Sequence, residues 1–195
     1  MLLRIIWKKY VDSLDHYPVM TKAFTGAAFG FLGDFLSQYY IEKQVTFNKK
    51  RNAVVTSYGF IETIIEGQYW INYLEKVVGK QATIANALLK TVLDLTIFAP
   101  LEIILFMAWT NYFEKSPTKL ISKIKEDFFF IFANGYAFWI PVNFFCFYVV
   151  PMKHRALYLC ISSVIWDTFM SFAAHNSVLE KVNNIILSDE KHISK

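Results

Sequence analysis

The sequence predicts an all-α integral membrane protein, a bundle of four to five transmembrane helices preceded by an amphipathic helix. Two observations indicate this fold class. Hydrophobic residues make up 55% of the 195 residues, and the mean hydropathy is +0.32, which is more apolar surface than a soluble chain of this length can bury. Charged residues, at 18%, are fewer than the roughly 25% of an average soluble domain.

Residues 3–14 form the first predicted element. Apolar side chains recur there at helical spacing, opposite charged ones, as expected for an amphipathic helix in the membrane interface. A second interpretation is an uncleaved import signal, although Asp12 and Asp15 argue against a classical transit peptide.

Five apolar stretches follow, each close to the roughly 20 residues that a helix needs to cross the hydrocarbon core. The fourth contains no charge between Asp127 and Lys153, and the connection to the fifth is so short that the two should form an antiparallel hairpin. We expect a single membrane domain over residues 1–177 and a polar tail over 178–195. The predicted spans are 18–38, 53–74, 85–113, 128–150 and 156–174.

Small residues and prolines occur inside several of the predicted spans. Gly26 and Gly30 form a GxxxG pattern, which lets helix backbones approach closely in lipid. Packing within the chain is the preferred interpretation and a dimer face is the alternative. Pro100 and Pro141 each remove a backbone hydrogen bond and should kink their helices.

Ionisable side chains are unusually frequent inside the spans. An Asp, Lys or Arg at mid-span costs roughly 2.5–3.5 kcal/mol, so these groups should point inward, pair or line water. Glu62 and Glu66 share one helical face, whereas Lys90 and Asp94 have the same spacing and opposite charge and can pair. Two bases against six acids leave a net acidic interior. The full set is Lys22, Asp34, Glu62, Glu66, Lys90, Asp94, Glu102 and Asp167.

Two interpretations of this set remain open. In one, the groups are interfacial, or buried and hydrogen-bonded, and hold the helices in register. In the other, they line a hydrated pathway, whose acidic lining favours cations. The residues predicted to line such a pathway are Asp34, Glu62, Glu66, Lys90, Asp94 and Asp167.

Catalytic and cofactor motifs are not found. The sequence contains no nucleophile elbow, P-loop, HExxH or dinucleotide-binding pattern. Cys146 and Cys160 are expected to be buried free thiols, with a disulfide as the alternative. The net charge of +4 is dispersed over short connections. We therefore expect no enzyme activity, no cofactor or metal, and no nucleic-acid binding.

Motif residues along most of the chain, from Trp7 to about His175, resemble the Mpv-seventeen / twenty-two-kilodalton peroxisomal membrane protein family. The residues that carry the resemblance are Trp7, Tyr10, Leu14, Pro18, Gly33-Asp34, Gln38, Lys90, Asp94, Phe98-Ala99-Pro100, Asp127, Trp139, Phe147, Val150-Pro151, Arg155, Trp166 and Ser171. We interpret Trp7, Pro18, Gly33, Pro100, Trp139, Pro151, Arg155 and Trp166 as structural. The chain departs from the family pattern at Leu95, Ile140, Asn143 and Cys146, and around Glu62-Thr63.

The resemblance implies a multi-span protein of the mitochondrial inner membrane or the peroxisomal membrane that acts as a weakly selective channel for ions or small solutes. The basic amphipathic start favours the mitochondrion. The expected partners are the lipid bilayer, small solutes or ions, and a second copy of the chain. The alternative function is a membrane scaffold or assembly factor for other inner-membrane complexes. A proton-coupled transporter is a third interpretation, but the internal inverted repeat that would favour it is not found.

Overall fold

A computed structural model describes residues 2–114 and 120–175, and every regular element within these ranges is helical. The all-α prediction is therefore confirmed, whereas the predicted tail at 178–195 lies outside the described residues. The helices are α1 (Leu2–His16), α2 (Pro18–Leu36), α3 (Lys49–Ile64), α4 (Ile71–Val78), α5 (Ile84–Leu93), α6 (Ala99–Glu114), α7 (Leu120–Tyr148) and α8 (Met152–His175).

Three π-helical turns interrupt or extend these helices. Ser37–Ile41 (π1) continues α2, Ile65–Trp70 (π2) joins α3 to α4, and Asp94–Phe98 (π3) joins α5 to α6. Pairs α3–α4 and α5–α6 are thus two long helices, each with one widened turn. The π3 turn ends two residues before Pro100, whose missing N–H removes an α-helical hydrogen bond. Turns of this kind often occur at functional sites.

Among the described residues, three helices are long and apolar enough to cross a membrane. They are Ile84–Phe113, Phe128–Tyr148 and Met152–His175, and they coincide with the third, fourth and fifth predicted spans. The first two predicted spans also fall on helices, α2 and α3–π2–α4, but neither of these is among the helices that are long and apolar enough by themselves.

Helix α2 packs between α3 and α8. A Cβ atom on Gly26 would lie 1.8 Å from Thr63 Oγ1 and 2.4 Å from the Gly59 carbonyl oxygen, so the backbones of α2 and α3 approach closely there. A Cβ on Gly30 would lie 3.4 Å from the nearest atom, the Val55 carbonyl oxygen. The GxxxG pattern therefore lies at a contact within the chain.

Helices α7 and α8 form a hairpin. Three residues separate Tyr148 from Met152, and Cys146 packs with Leu159 in a small buried cluster. The main core lies between α3, α6, α7 and α8. Its buried residues are Val55, Tyr58, Ile103, Phe106, Met107, Ile131, Trp166, Met170 and Ala173.

Many large apolar side chains point outward instead. Phe24, Phe129, Ile161 and Ile165 are among the exposed ones. This surface suits lipid better than water. The polar side chains are correspondingly concentrated inside the bundle, where Asp34, Gln38, Lys90 and Ser171 are buried almost completely.

Candidate functional site: an acid-lined cavity

Five carboxyl groups line one cavity of about 30 Å³ in the middle of the bundle. A single water needs roughly 10–15 Å³, so the cavity has room for about two waters. The five residues come from five elements of the fold, α3, π2, π3, α6 and α8. They are Glu62, Glu66, Asp94, Glu102 and Asp167.

Helical spacing explains how these side chains meet. Glu62 and Glu66 lie four residues apart, across the junction of α3 with the π2 turn. Asp94 begins the π3 turn and Glu102 follows it by eight residues, just over two turns. Asp167 approaches from α8, where its Cβ lies 2.5 Å from the position that a Cβ on Gly33 would occupy. Gly33 therefore allows α8 to bring Asp167 this close to α2.

Hydrogen bonds fix two of the five carboxyl groups. Asp94 Oδ1 accepts a hydrogen bond from Trp70 Nε1 at 2.6 Å, and Asp94 Oδ2 accepts one from Asn143 Nδ2 at 2.6 Å. Asp167 Oδ2 accepts one from Ser163 Oγ at 2.9 Å. These two aspartates are held in a single orientation.

The glutamates of π2 and α3 are in a different situation. Among the side chains that the structure describes, those of residues 4–113 and 128–175, none donates a hydrogen bond to Glu62 or Glu66. Nor does any Lys, Arg or His of these ranges form an ion pair with one of the five cavity acids. The cavity therefore has an excess of acidic groups over bases, and its two glutamates Glu62 and Glu66 are left to water, protons or mobile cations.

Asp34, which the sequence predicts to line the same pathway, lies in a separate network, the Asp34–Arg51 network. Arg51 Nε donates to Asp34 Oδ1 at 2.8 Å, and Gln38 and Asn52 donate to Asp34 Oδ2 at 2.7 and 2.9 Å. The Ser171 hydroxyl donates to Asp34 Oδ1 at 2.5 Å. The network joins α2, π1, α3 and α8, and Asp34 does not line the cavity.

Arg51 also binds Glu42, in the connection after π1. Its Nη2 lies 2.7 Å from Glu42 Oε1. Burial would raise the pKa of the Glu42 carboxyl, but the hydrogen bond and the charge of Arg51 outweigh it, and the pKa lies below its ordinary value. Glu42 therefore stays ionised as the second counter-charge of the Asp34–Arg51 network.

Lys90 does not line the cavity either, and its predicted pairing with Asp94 is wrong. The Lys90 Nζ contacts Glu75 Oε1, which Arg155 Nη1 also contacts. This Glu75–Lys90–Arg155 cluster joins α4, α5 and α8. Asp94 instead begins the π3 turn, and its two oxygens are taken by Trp70 and Asn143.

The two ionic groups lie on opposite sides of the cavity. Along α8, Arg155 belongs to the Glu75–Lys90–Arg155 cluster, Asp167 to the cavity, and Ser171 to the Asp34–Arg51 network. Along α8, the acid-lined space thus lies between two groups of buried, paired charges.

The residues of the family pattern serve mostly as packing elements. Trp139 and Trp166 form part of the cavity wall, and Trp7 packs against His154 with ring centroids 5.5 Å apart. Pro18 begins α2, and Pro151 lies in the turn before α8. The thiols of Cys146 and Cys160 are both free and buried.

Glu102 is the cavity acid that sequence reasoning did not select, although it was counted among the ionisable groups of its span. Its distance of eight residues from Asp94, just over two helical turns, was the one feature of the sequence that could have placed Glu102 near the other cavity acids. The sequence did not indicate Arg51 and Glu75 as the ion-pair partners of Asp34 and Lys90, because both lie at the edges of the predicted spans.

Within the described residues, no group of His, Cys, Asp and Glu could hold a metal ion.

Comparison with known proteins shows the relationships of the chain. Residues 111–171 match the Mpv17 / PMP22 family. The mitochondrial inner membrane protein Mpv17 of Danio rerio is 27% identical over 175 residues, covering 87% of this chain and 97% of that protein. PXMP2/4 family protein 1 of Dictyostelium discoideum is 29% identical over 182 residues, covering 91% and 89%. Peroxisomal membrane protein 2 of Bos taurus is 27% identical over 170 residues, covering 84% and 86%. No solved structure matches the chain.

Proposed function

We propose that this chain is a channel for the weakly selective passage of small cations and other small solutes. The chain belongs to the Mpv17 / PMP22 family, whose members are proteins of the mitochondrial inner membrane and the peroxisomal membrane. Relatives are named for both membranes. We place this chain in the mitochondrial inner membrane, on the strength of its basic amphipathic start, with the peroxisomal membrane as the alternative. Passage needs no covalent chemistry, and we propose that the protein is not an enzyme.

The proposed topology has five membrane-crossing helices, with α1 in the interface. Besides the three long apolar helices, α2 and α3–π2–α4 would also cross. Their charges support this placement because they are turned inward. Asp34 and Arg51 are 0% and 3% exposed, and Glu62 and Glu66 line the cavity, so the outward faces of both helices remain largely apolar.

The observation that carries the proposal is the lining of the central cavity by five acids without a paired base. Ionisable groups inside a membrane are costly to bury, and they commonly mark pathways for ions or protons. An acidic lining raises the local concentration of cations and excludes anions. A protein that needed these positions only for packing would be better stabilised by apolar residues of similar volume.

The structure corresponds to a closed state in this proposal. The cavity is small, and paired charges lie beyond it on both sides. Opening would require α3–π2 to move away from α8, because these elements carry the facing acids. The π2 turn supplies a place for such a change, since its backbone is already wider than that of an α-helix.

Conductance of the purified full chain in planar bilayers tests this function. We expect discrete current steps and a reversal potential, under a salt gradient, that indicates preference for cations. Glu66→Gln and Asp167→Asn should move the reversal potential toward zero. Asp12→Asn, which removes one acid from the exposed face of α1, is the matched control and should leave it unchanged. Equal reversal potentials in all variants would rule out the acid-lined pathway.

A scaffold that stabilises other membrane complexes is the second candidate function. The observation that favours it is the extensive bonding of Asp34 and Glu75, which shows that some buried acids in this chain pack helices together. A protein that gives no conductance across a range of pH and voltage, and that co-purifies with partner proteins from native membranes, would support the scaffold over the channel.

A further inference from the structure

An apolar groove opens on the outer surface between α2 and α3, and it ends at a lysine. This groove, the α2–α3 groove, has a volume of about 700 Å³. Its lining is almost entirely aromatic and aliphatic carbon. Lys49 is the only charged residue among those that line it.

The length of the α2–α3 groove matches one leaflet of a bilayer. From Lys49 to Phe60 the groove follows α3 for eleven residues, which is about 17 Å at the rise of an α-helix. Half of the hydrocarbon core of a bilayer is roughly 15 Å thick. Phe60 lies two residues before Glu62, which lines the central cavity. The deep end of the groove is therefore near the middle of the bundle, and Lys49 is at its edge.

The cross-section suits a single hydrocarbon chain. Small side chains, Ala27 and Ala53, form part of the lining between larger rings. At the deep end, Phe24 and Phe60 meet edge to face with centroids 5.4 Å apart. The ring of Phe31 forms another part of the groove wall, nearer to Lys49. The result is an elongated apolar slot, rather than a site for a compact polar molecule.

The charge at the open end favours an anion. Lys49 is exposed and forms no ion pair with any side chain of residues 4–113 and 128–175. It is also the first residue of α3, where the positive end of the helix dipole adds to its charge. Lysines near a bilayer surface attract anionic headgroups.

A second apolar groove lies between π1 and α8 and provides an internal comparison. Its volume is about 560 Å³, and its lining includes Leu36, Ile41 and Val164. No charged residue lines it. Hydrocarbon can enter both grooves, but only the α2–α3 groove combines an apolar slot with a cation at its end.

We propose that the α2–α3 groove binds one acyl chain of an anionic membrane phospholipid, whose phosphate contacts Lys49. The inference does not depend on the proposed channel activity. The lipid would seal the outer face of the α2–α3 pair, which carries Glu62.

Native mass spectrometry of the purified full chain tests this site. Phosphatidylglycerol and phosphatidylcholine with the same acyl chains, and chainless glycerol phosphate, are the probes. We expect phosphatidylglycerol to bind more tightly than phosphatidylcholine, and glycerol phosphate not to compete. Lys49→Gln should weaken phosphatidylglycerol binding about fivefold and phosphatidylcholine binding less, because the choline ammonium offsets the charge of the phosphate. Ala53→Phe, which fills the slot at an exposed position, should weaken both lipids.

Two controls make the result decisive. Lys50→Gln removes the same charge one residue further along, from a side chain that is exposed and does not line the groove. Val164→Phe fills the uncharged groove instead. Neither should change the preference for phosphatidylglycerol. Equal losses in Lys49→Gln and Lys50→Gln, equal affinity for both lipids, or competition by glycerol phosphate would overturn the proposal.

Discussion

The Asp34–Arg51 network and the acid-lined cavity both contain carboxyl groups on apolar helices, yet their bonding is opposite. Asp34 accepts hydrogen bonds from Arg51, Gln38, Asn52 and Ser171. Glu66 accepts none from the described side chains and faces an open space. The two regions approach each other along α8, where Asp167 and Ser171 are one turn apart.

The difference shows that the available donors decide what an acid inside the bundle does. A guanidinium offers five N–H donors in a fixed plane, so Arg51 can satisfy Asp34 and Glu42 at once. Such a cluster is rigid and holds helices in register. An acid without a donor keeps its demand for water or a cation, and this demand is the physical basis of a conducting pathway.

Removing the base from the Asp34–Arg51 network should have the largest effect. In Arg51→Met, Asp34 keeps its neutral donors but loses its counter-charge inside the bundle. We expect a loss of about 3–5 kcal/mol in the free energy of unfolding, measured by denaturant titration in detergent micelles. Glu66→Gln is the contrasting change and should cost less than about 1 kcal/mol, because no bonded partner is lost. Similar losses in both variants would remove the distinction between the two regions.

The α2–α3 contact beside the cavity should respond to a single added methyl group. In Gly26→Ala the new Cβ meets the Gly59 carbonyl oxygen at 2.4 Å, and the helices must separate at a cost of about 1–3 kcal/mol. In Gly30→Ala the nearest atom lies at 3.4 Å, an ordinary contact. The helix preference of alanine then makes this variant neutral or more stable by up to about 1 kcal/mol.

Midpoints of thermal unfolding of these two variants provide the measurement. The predicted signs are opposite, so the pair serves as its own control. A destabilised Gly30→Ala, as severe as Gly26→Ala, would contradict the described approach of the two helices.

The smallest effect is expected at the surface. Lys153 Nζ lies 2.6 Å from Asp15 Oδ1, but these side chains are 37% and 56% exposed. Water and salt screen such a pair, so Lys153→Gln should change the free energy of unfolding by less than about 1 kcal/mol. The same denaturant titration, repeated at high salt, should show no difference from the unmodified protein. A loss comparable to that of Arg51→Met would mean that the ion pair anchors α1 to α8.

Much of the cavity could be anticipated from spacing and composition. Glu62 and Glu66 had to share a helical face, and the acids outnumbered the bases inside the spans. The pairing of charges was less predictable. Lys90 and Asp94 have ideal spacing, and the Asp94 N–H still donates to the Lys90 carbonyl as in an α-helix, yet Lys90 binds Glu75 and Asp94 binds Trp70 and Asn143. Spacing along one helix cannot show which partners other helices supply.

The sequence by itself determined the helical membrane class, the positions of the apolar helices, and the presence of more acids than the lipid can accept. These follow from composition and periodicity, which act locally along the chain. Only the tertiary structure decided that Asp34 is neutralised by Arg51 whereas Glu66 is not. That outcome depends on which helices meet, and the close contacts of Gly26 with α3 and of Gly33 with α8 bring distant parts of the chain together.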